Sequence, residues 1–216
     1  MESRNNNPLY ASLSEDELFR KERWDSTYKN VRLVMWDTTD AIRVYQSTDA
    51  HVQRLTYNLY YGGNVGKGGI FIQACGWMGT QEIWTGGVSD TEYFLKSGIL
   101  QQQQKYLLEE HNEEEEIPFT NMLDKGFRVV SQCWNVGKQT VIQPNFSRSD
   151  RRFSSYEVVR SAAVASDRGG NERAVRYSKT SGILSRGLMP KQNCATVCDA
   201  WLVWSYQCNF MYEPPL

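Results

Sequence analysis

The chain has 216 residues, 40% of them apolar and 23% charged, with a formal net charge of −1. That length suits one domain whose core needs neither disulfides nor a structural metal to hold it. No window holds about 18 continuous apolar residues, which excludes a membrane-spanning helix; the opening Met-Glu-Ser-Arg-Asn-Asn-Asn lacks the apolar run of a secretory signal; and 7 Trp, 12 Tyr and 8 Phe exclude disorder along the whole chain.

Residues 1–30 read as a polar lead-in, and 31–216 as the folded domain. Val31–Trp36 is a short apolar run expected to form a buried strand ending at Asp37, with Ala41–Tyr45 extending it as a hairpin. Five glycines within 62–69 signal a loop. Ile70–Cys75 is a second strand, Gly76–Gly79 a turn and Gln81–Thr85 a third strand. Ser89 and Glu92 have capping-box spacing, with Asp90 suited to the positive end of a helix expected to run to about Leu100. Phe119–Leu123 is a fourth strand ending at Asp124, and Thr140–Gln143 a fifth, stopped by Pro144. Ser154 and Glu157 form a second capping box. The helix they open is interrupted at Gly169-Gly170 and resumes from Asn171 to about Lys179; a last helix spans about Asn193–Phe210. The order predicts an α/β fold, a mixed sheet flanked by helices.

Charge is unevenly spread. Residues 1–124 carry 11 Lys and Arg against 19 Asp and Glu, whereas 125–216 carry 13 against 6. The acidic run Glu113–Glu116 is most simply a solvated loop. The basic half clusters Arg148, Arg151, Arg152, Arg160, Arg168, Arg173, Arg176 and Lys179; it reads either as a solvated helix face or as a footprint for a polyanion. The five cysteines are odd in number and irregularly spaced, which argues for free thiols in a reducing compartment rather than a disulfide framework. Cys194 and Cys198 share a helical face but lack a second ligand pair for zinc.

Three acids fall at telling places. Asp37 and Asp124 end the first and fourth strands, and Glu172 lies on the late helical segment. If those strands are neighbours, the two aspartates sit side by side, and a helix packed across that edge brings Glu172 to the same point. Clustered carboxylates need a neutralising cation. Hard oxygen ligands suit Mg²⁺ or Mn²⁺, and two such ions can clamp an in-line phosphoryl displacement. Arg168, Arg176 and Lys179 lie at −4, +4 and +7 from Glu172, on its face if the helix is continuous. The plainer alternative is i,i+4 surface pairs for Glu172 and turn-forming roles for the two aspartates.

Several motifs, in order, resemble the DDE superfamily endonuclease domain of Harbinger-type transposases: Val34-Met35-Trp36-Asp37, Gly86-Gly87-Val88-Ser89-Asp90, Asp124-Lys125-Gly126-Phe127, Pro144-Asn145-Phe146, Phe153–Val158, and Val164–Arg168 followed by Glu172-Arg173-Ala174-Val175 and Lys179. The resemblance implies a ribonuclease H-like fold, a catalytic and metal-binding triad of Asp37, Asp124 and Glu172, and Mg²⁺ or Mn²⁺, with two ions expected. It implies cleavage of transposon DNA ends, joining of the freed 3′-hydroxyl to target DNA, and a nuclear location. Arg168, Arg173, Arg176, Lys179 and Lys67 are expected DNA contacts, with a solubilising sheet edge as the alternative for Lys67; Asp90 is read mainly as a helix start, with support of the site from behind as the alternative. Two departures stand out. Gly169-Gly170-Asn171 replaces a more apolar run before Glu172, and 30 polar residues are too few for the DNA-binding region that relatives carry at the N-terminus. These imply a fragment, a shortened product or a domesticated copy, one that works with a separate DNA-binding partner protein or as an oligomer, or a catalytically silent DNA- or protein-binding module.

Overall fold

The computed structural model describes residues 32–110, 119–146, 152–185, 188–189 and 193–212. The lead-in, the acidic run Glu113–Glu116, and Arg148 and Arg151 lie outside the described residues.

A mixed sheet is built around β1 (Arg32–Val44). On one side β1 pairs antiparallel with β3 (Gly63–Gln73), which carries β4 (Met78–Thr80) and β5 (Trp84–Thr85) along its far edge. On the other side β1 pairs parallel with β6 (Phe119–Met122), and β6 pairs parallel with β7 (Thr140–Ile142). The sheet order is therefore β4-β3-β1-β6-β7. Two short strands add to it: β2 (Tyr57–Asn58) against β3, and β8 (Leu188–Met189) against the end of β1.

The fold is mixed α/β, as expected, with helices on both faces of the sheet. Alternation along β1 assigns the faces. Leu33 and Met35 enter a core with Val164, Ala174, Val197 and Trp201, which come from α5 (Ser155–Asp167), α6 (Gly169–Ser178) and α8 (Cys194–Met211). Trp36 enters the opposite core with Tyr93, Phe94, Leu100 and Cys133, from α2 (Asp90–Lys96), α3 (Ile99–Glu110) and α4 (Val130–Asn135). Two shorter helices, α1 (Ala50–Thr56) and α7 (Gly182–Ser185), complete the elements of the described residues. A strand covered on both faces reads as a near-continuous apolar run, which is why Val-Arg-Leu-Val-Met-Trp was recognisable.

Three expectations need correction. The first strand does not end at Asp37: it runs on to Val44, with an irregularity between Asp40 and Ile42 where its register on β3 shifts. The glycines at 63, 66, 68 and 69 belong to β3 rather than to a loop. Three of them are closely packed: a Cβ on Gly66 would lie 2.6 Å from the Ile83 side chain, one on Gly68 2.7 Å from the Trp201 ring, and one on Gly69 2.7 Å from the Tyr93 ring, whereas Gly63 has open space. The helix opened at Ser89 stops at Lys96, where Gly98 adopts φ +79°, and α3 starts afresh at Ile99.

The two expected caps are present. Ser89 accepts from the Glu92 amide, and Ser154 and Glu157 form the reciprocal box that opens α5. Among the described residues no helix is long and apolar enough to cross a membrane.

Candidate functional site

The parallel pairing of β1 and β6 runs from Arg32 with Phe119 to Met35 with Met122. Asp37 and Asp124 each lie two residues past that last pair, so parallel register alone brings them to the same end of adjacent strands. β1 continues beyond β6, and alternation puts Asp37 on the face of Leu33 and Met35, the face that α5 and α6 cover.

Each aspartate is fixed locally. Asp37 Oδ1 accepts from the Thr38 amide at 2.8 Å, and Asp124 Oδ1 from the Lys125 amide at 2.8 Å. The turn after Asp124 is pinned from β7: the Gln143 amide donates to the carbonyls of Asp124 and Phe127, both at 2.7 Å.

Arg168 joins the two. It is the residue between α5 and α6, where the α5 helix ends and Gly169 begins the next. Its Nη2 lies 2.9 Å from Asp37 Oδ2 and its Nη1 lies 3.1 Å from Asp124 Oδ1. One guanidinium therefore forks across both carboxylates. Burial pushes the Asp37 carboxyl above its ordinary value; Arg168 and the Thr38 amide pull it back, and Asp124 and Asp90 push it up again, with burial prevailing.

Glu172 lies one helical turn beyond Arg168 on α6 and is exposed. Among the described residues no three His, Cys, Asp or Glu side chains are grouped closely enough to hold a metal ion. The structure thus brings Asp37 and Asp124 together and leaves Glu172 beside them but ungathered. Between Arg168 and Glu172, Asn171 is fully buried, and neither atom of its amide has a partner.

Asp90, expected behind the site, starts α2 and reaches β1. Its Oδ1 accepts from Thr38 Oγ1 at 2.6 Å and from Lys67 Nζ at 2.8 Å. Lys67 itself is only 4% exposed, its ammonium also donating to the Val88 carbonyl. Neither an exposed phosphate contact nor a solubilising sheet edge describes it, because β3 is flanked by β1 and β5 at this residue. Arg168 likewise faces inward rather than lining an open stripe. Arg168 and Lys179 are engaged with Asp37, Asp124 and Asp40, whereas Glu172 and Arg176 are exposed, so the four do not form the single open basic face expected. Arg173 and Arg176 are exposed. Lys179 is tied to Asp40, a β1 residue that sequence reasoning missed. Tyr61 lies near Asp40, and burial together with that carboxylate pushes its phenol up to about 12. Beside Asp90 a cleft of about 360 Å³ opens between Lys67, Val88, Gly126 and the exposed Tyr60.

Comparison with protein-family models, with curated proteins and with solved structures returned no match.

The donor set can be tested against the cation that the acids imply. Two hard carboxylates converge, the kind of oxygen donor that Mg²⁺ or Mn²⁺ takes, and the Arg168 guanidinium stands between them. Such an ion would need Glu172, solvent or substrate oxygens to complete its shell.

Proposed function

We propose that this chain is a divalent-metal-dependent DNA endonuclease domain of the DDE type, related to Harbinger-type transposases. The observation that carries the reading is the meeting of Asp37 and Asp124 on adjacent parallel strands, under a helix junction that places Glu172 one turn further on. The strand order β4-β3-β1-β6-β7, with β3 running against β1 and both β6 and β7 running with it, supports a ribonuclease H-like fold.

In this reading Asp37, Asp124 and Glu172 hold one or two Mg²⁺ or Mn²⁺ ions. When bound, such ions sharpen an attacking oxygen and stabilise a leaving one. The protein's own part is positional. Thr38, Lys125 and Gln143 fix the two aspartates, and Asp90 ties Thr38 to α2 and Lys67. The cleft beside Asp90 gives a strand room to approach, and the exposed Arg173 and Arg176 supply cationic groups for phosphates. The reading carries with it DNA as substrate, a nuclear site of action, and recognition of target DNA shared with a partner protein or a second copy.

The test is nicking of supercoiled DNA with Mg²⁺ or Mn²⁺. Nicking is expected from the wild type and is lost in Asp37→Ala, Asp124→Ala and Glu172→Ala. Equal nicking by all three variants would overturn the assignment.

A second reading is favoured by one observation: a guanidinium occupies the carboxylate pair while Glu172 is exposed to solvent. It makes the chain a silent descendant that binds DNA or a protein without cleaving. Salt-dependent DNA binding with no metal uptake and no nicking distinguishes it.

A further inference from the structure

We propose that Arg168 is a built-in counter-cation for Asp37 and Asp124, one that must leave the pair before a divalent ion can occupy it. The inference rests on the reading of these two aspartates as metal ligands.

The oxygens themselves set up the competition. Asp37 Oδ1 is taken by the Thr38 amide and Oδ2 by Arg168 Nη2. An ion that needs Asp37 Oδ2 therefore displaces the guanidinium. Asp124 Oδ1 is shared between the Lys125 amide and Arg168 Nη1. Without a cation, two facing carboxylates repel one another. Arg supplies a charge that no accessible pH removes and a fork that matches two acceptors. It holds the pair in place and it also closes it.

The local structure allows release. Arg168 sits at the junction of α5 and α6 rather than inside either helix. Its Nε is buried without a partner, so the two outer nitrogens are its anchors to the acids. The side chains of Arg168, Asp37 and Asp124 are 16%, 25% and 46% exposed, so water reaches the pair and exchange does not require opening the core. A divalent ion carries twice the charge of the guanidinium and takes both carboxylates at once.

Titration calorimetry of the full chain with MnCl₂ tests this directly, comparing wild type, Arg168→Met and Arg168→Lys, with melting curves in chelator alongside. Arg168→Met is expected to bind Mn²⁺ at least about ten-fold more tightly, the worth of one hydrogen bond to a charged group. In chelator it is expected to melt below the wild type, and saturating Mn²⁺ is expected to raise its melting temperature by the larger increment. Arg168→Lys, which keeps one arm of the contact, is expected to fall between and decides the matter if the Met variant does not fold. Mn²⁺ uptake by the wild type with equal or weaker uptake by the variants overturns the competition alone. Absence of uptake in every form overturns the metal reading of the pair, and the proposal falls with it.

Discussion

Arg168 and Asp37 are 131 residues apart in the chain and 2.9 Å apart in space. The contact rests on a core that seats α6 against β1 and β3 and on the place of Arg168 at the junction of α5 and α6. Asp124 joins the same guanidinium, so the strand ends and the helix junction are locked by one side chain.

Gln143 is the support beneath Asp124. Its amide serves two carbonyls of the turn, and the residue is only 8% exposed. Gln143→Ala removes both donors and is expected to cost about 1–3 kcal/mol. Urea melts will show the loss. Because Asp124 is then free to drift, Mn²⁺ affinity is expected to fall as well; unchanged stability and affinity together would show that the turn holds itself.

Gly68 is a packing glycine. Gly68→Ala brings a methyl group against the buried Trp201 ring and is expected to destabilise the chain by about 1–3 kcal/mol. Urea melts followed by circular dichroism read the loss. An alanine variant as stable as wild type would mean that the ring can step aside at no cost.

Alkaline pH is expected to weaken the fold. Burial raises the Cys133 thiol to about 12 and the Cys208 thiol to about 11, against 9.0 for a free thiol, and raises Tyr61 to about 12 from 10.0. An acid whose pKa is higher in the folded state keeps its proton there while the unfolded chain releases it. Stability is therefore at its plateau below pH 9, declines as pH climbs through 9 to 12, and flattens above. Melting temperatures from pH 8 to 10.5 will show the decline, and Cys133→Ala will make it shallower. A flat profile would contradict the burial of these groups.

DNA affinity is expected to depend on salt, and the exposed arginines of α6 set part of the slope. Arg173→Ala and Arg176→Ala are each expected to reduce the slope of log K against log salt by about 0.9 if each loses one phosphate contact. Lys179→Ala opens the pair with Asp40, which is partly exposed, and is expected to cost no more than about 1 kcal/mol of stability. Slopes identical to wild type in both arginine variants would move the nucleic-acid surface elsewhere.

How far the sequence reveals this arrangement depends on how local each signal is. The start of the first strand, the Ser89 and Ser154 caps and the Phe119 strand are local signals, and each stands within a residue or two of its expected place. Gly68 and Gly69 carry the opposite message locally, because their purpose lies in rings contributed by Trp201 and Tyr93 from distant segments. Lys67 reads as a surface cation until Asp90, 23 residues away, is known to receive it. The meeting of Asp37 with Asp124 follows from strand adjacency, which chain order suggests. The intrusion of Arg168 does not follow, since it depends on how the α5–α6 junction packs against the sheet. Sequence spacing places Glu172 and Arg168 on one face, and the break separates their fates: one is bound to the acids, the other exposed.

Anomalous diffraction from crystals grown with Mn²⁺ tests the central claim most directly. The account predicts a manganese peak within coordination distance of both Asp37 and Asp124, with the Arg168 guanidinium displaced from between them. Crystals saturated with Mn²⁺ that show no peak at the pair, with Arg168 still forked across both carboxylates, would contradict it.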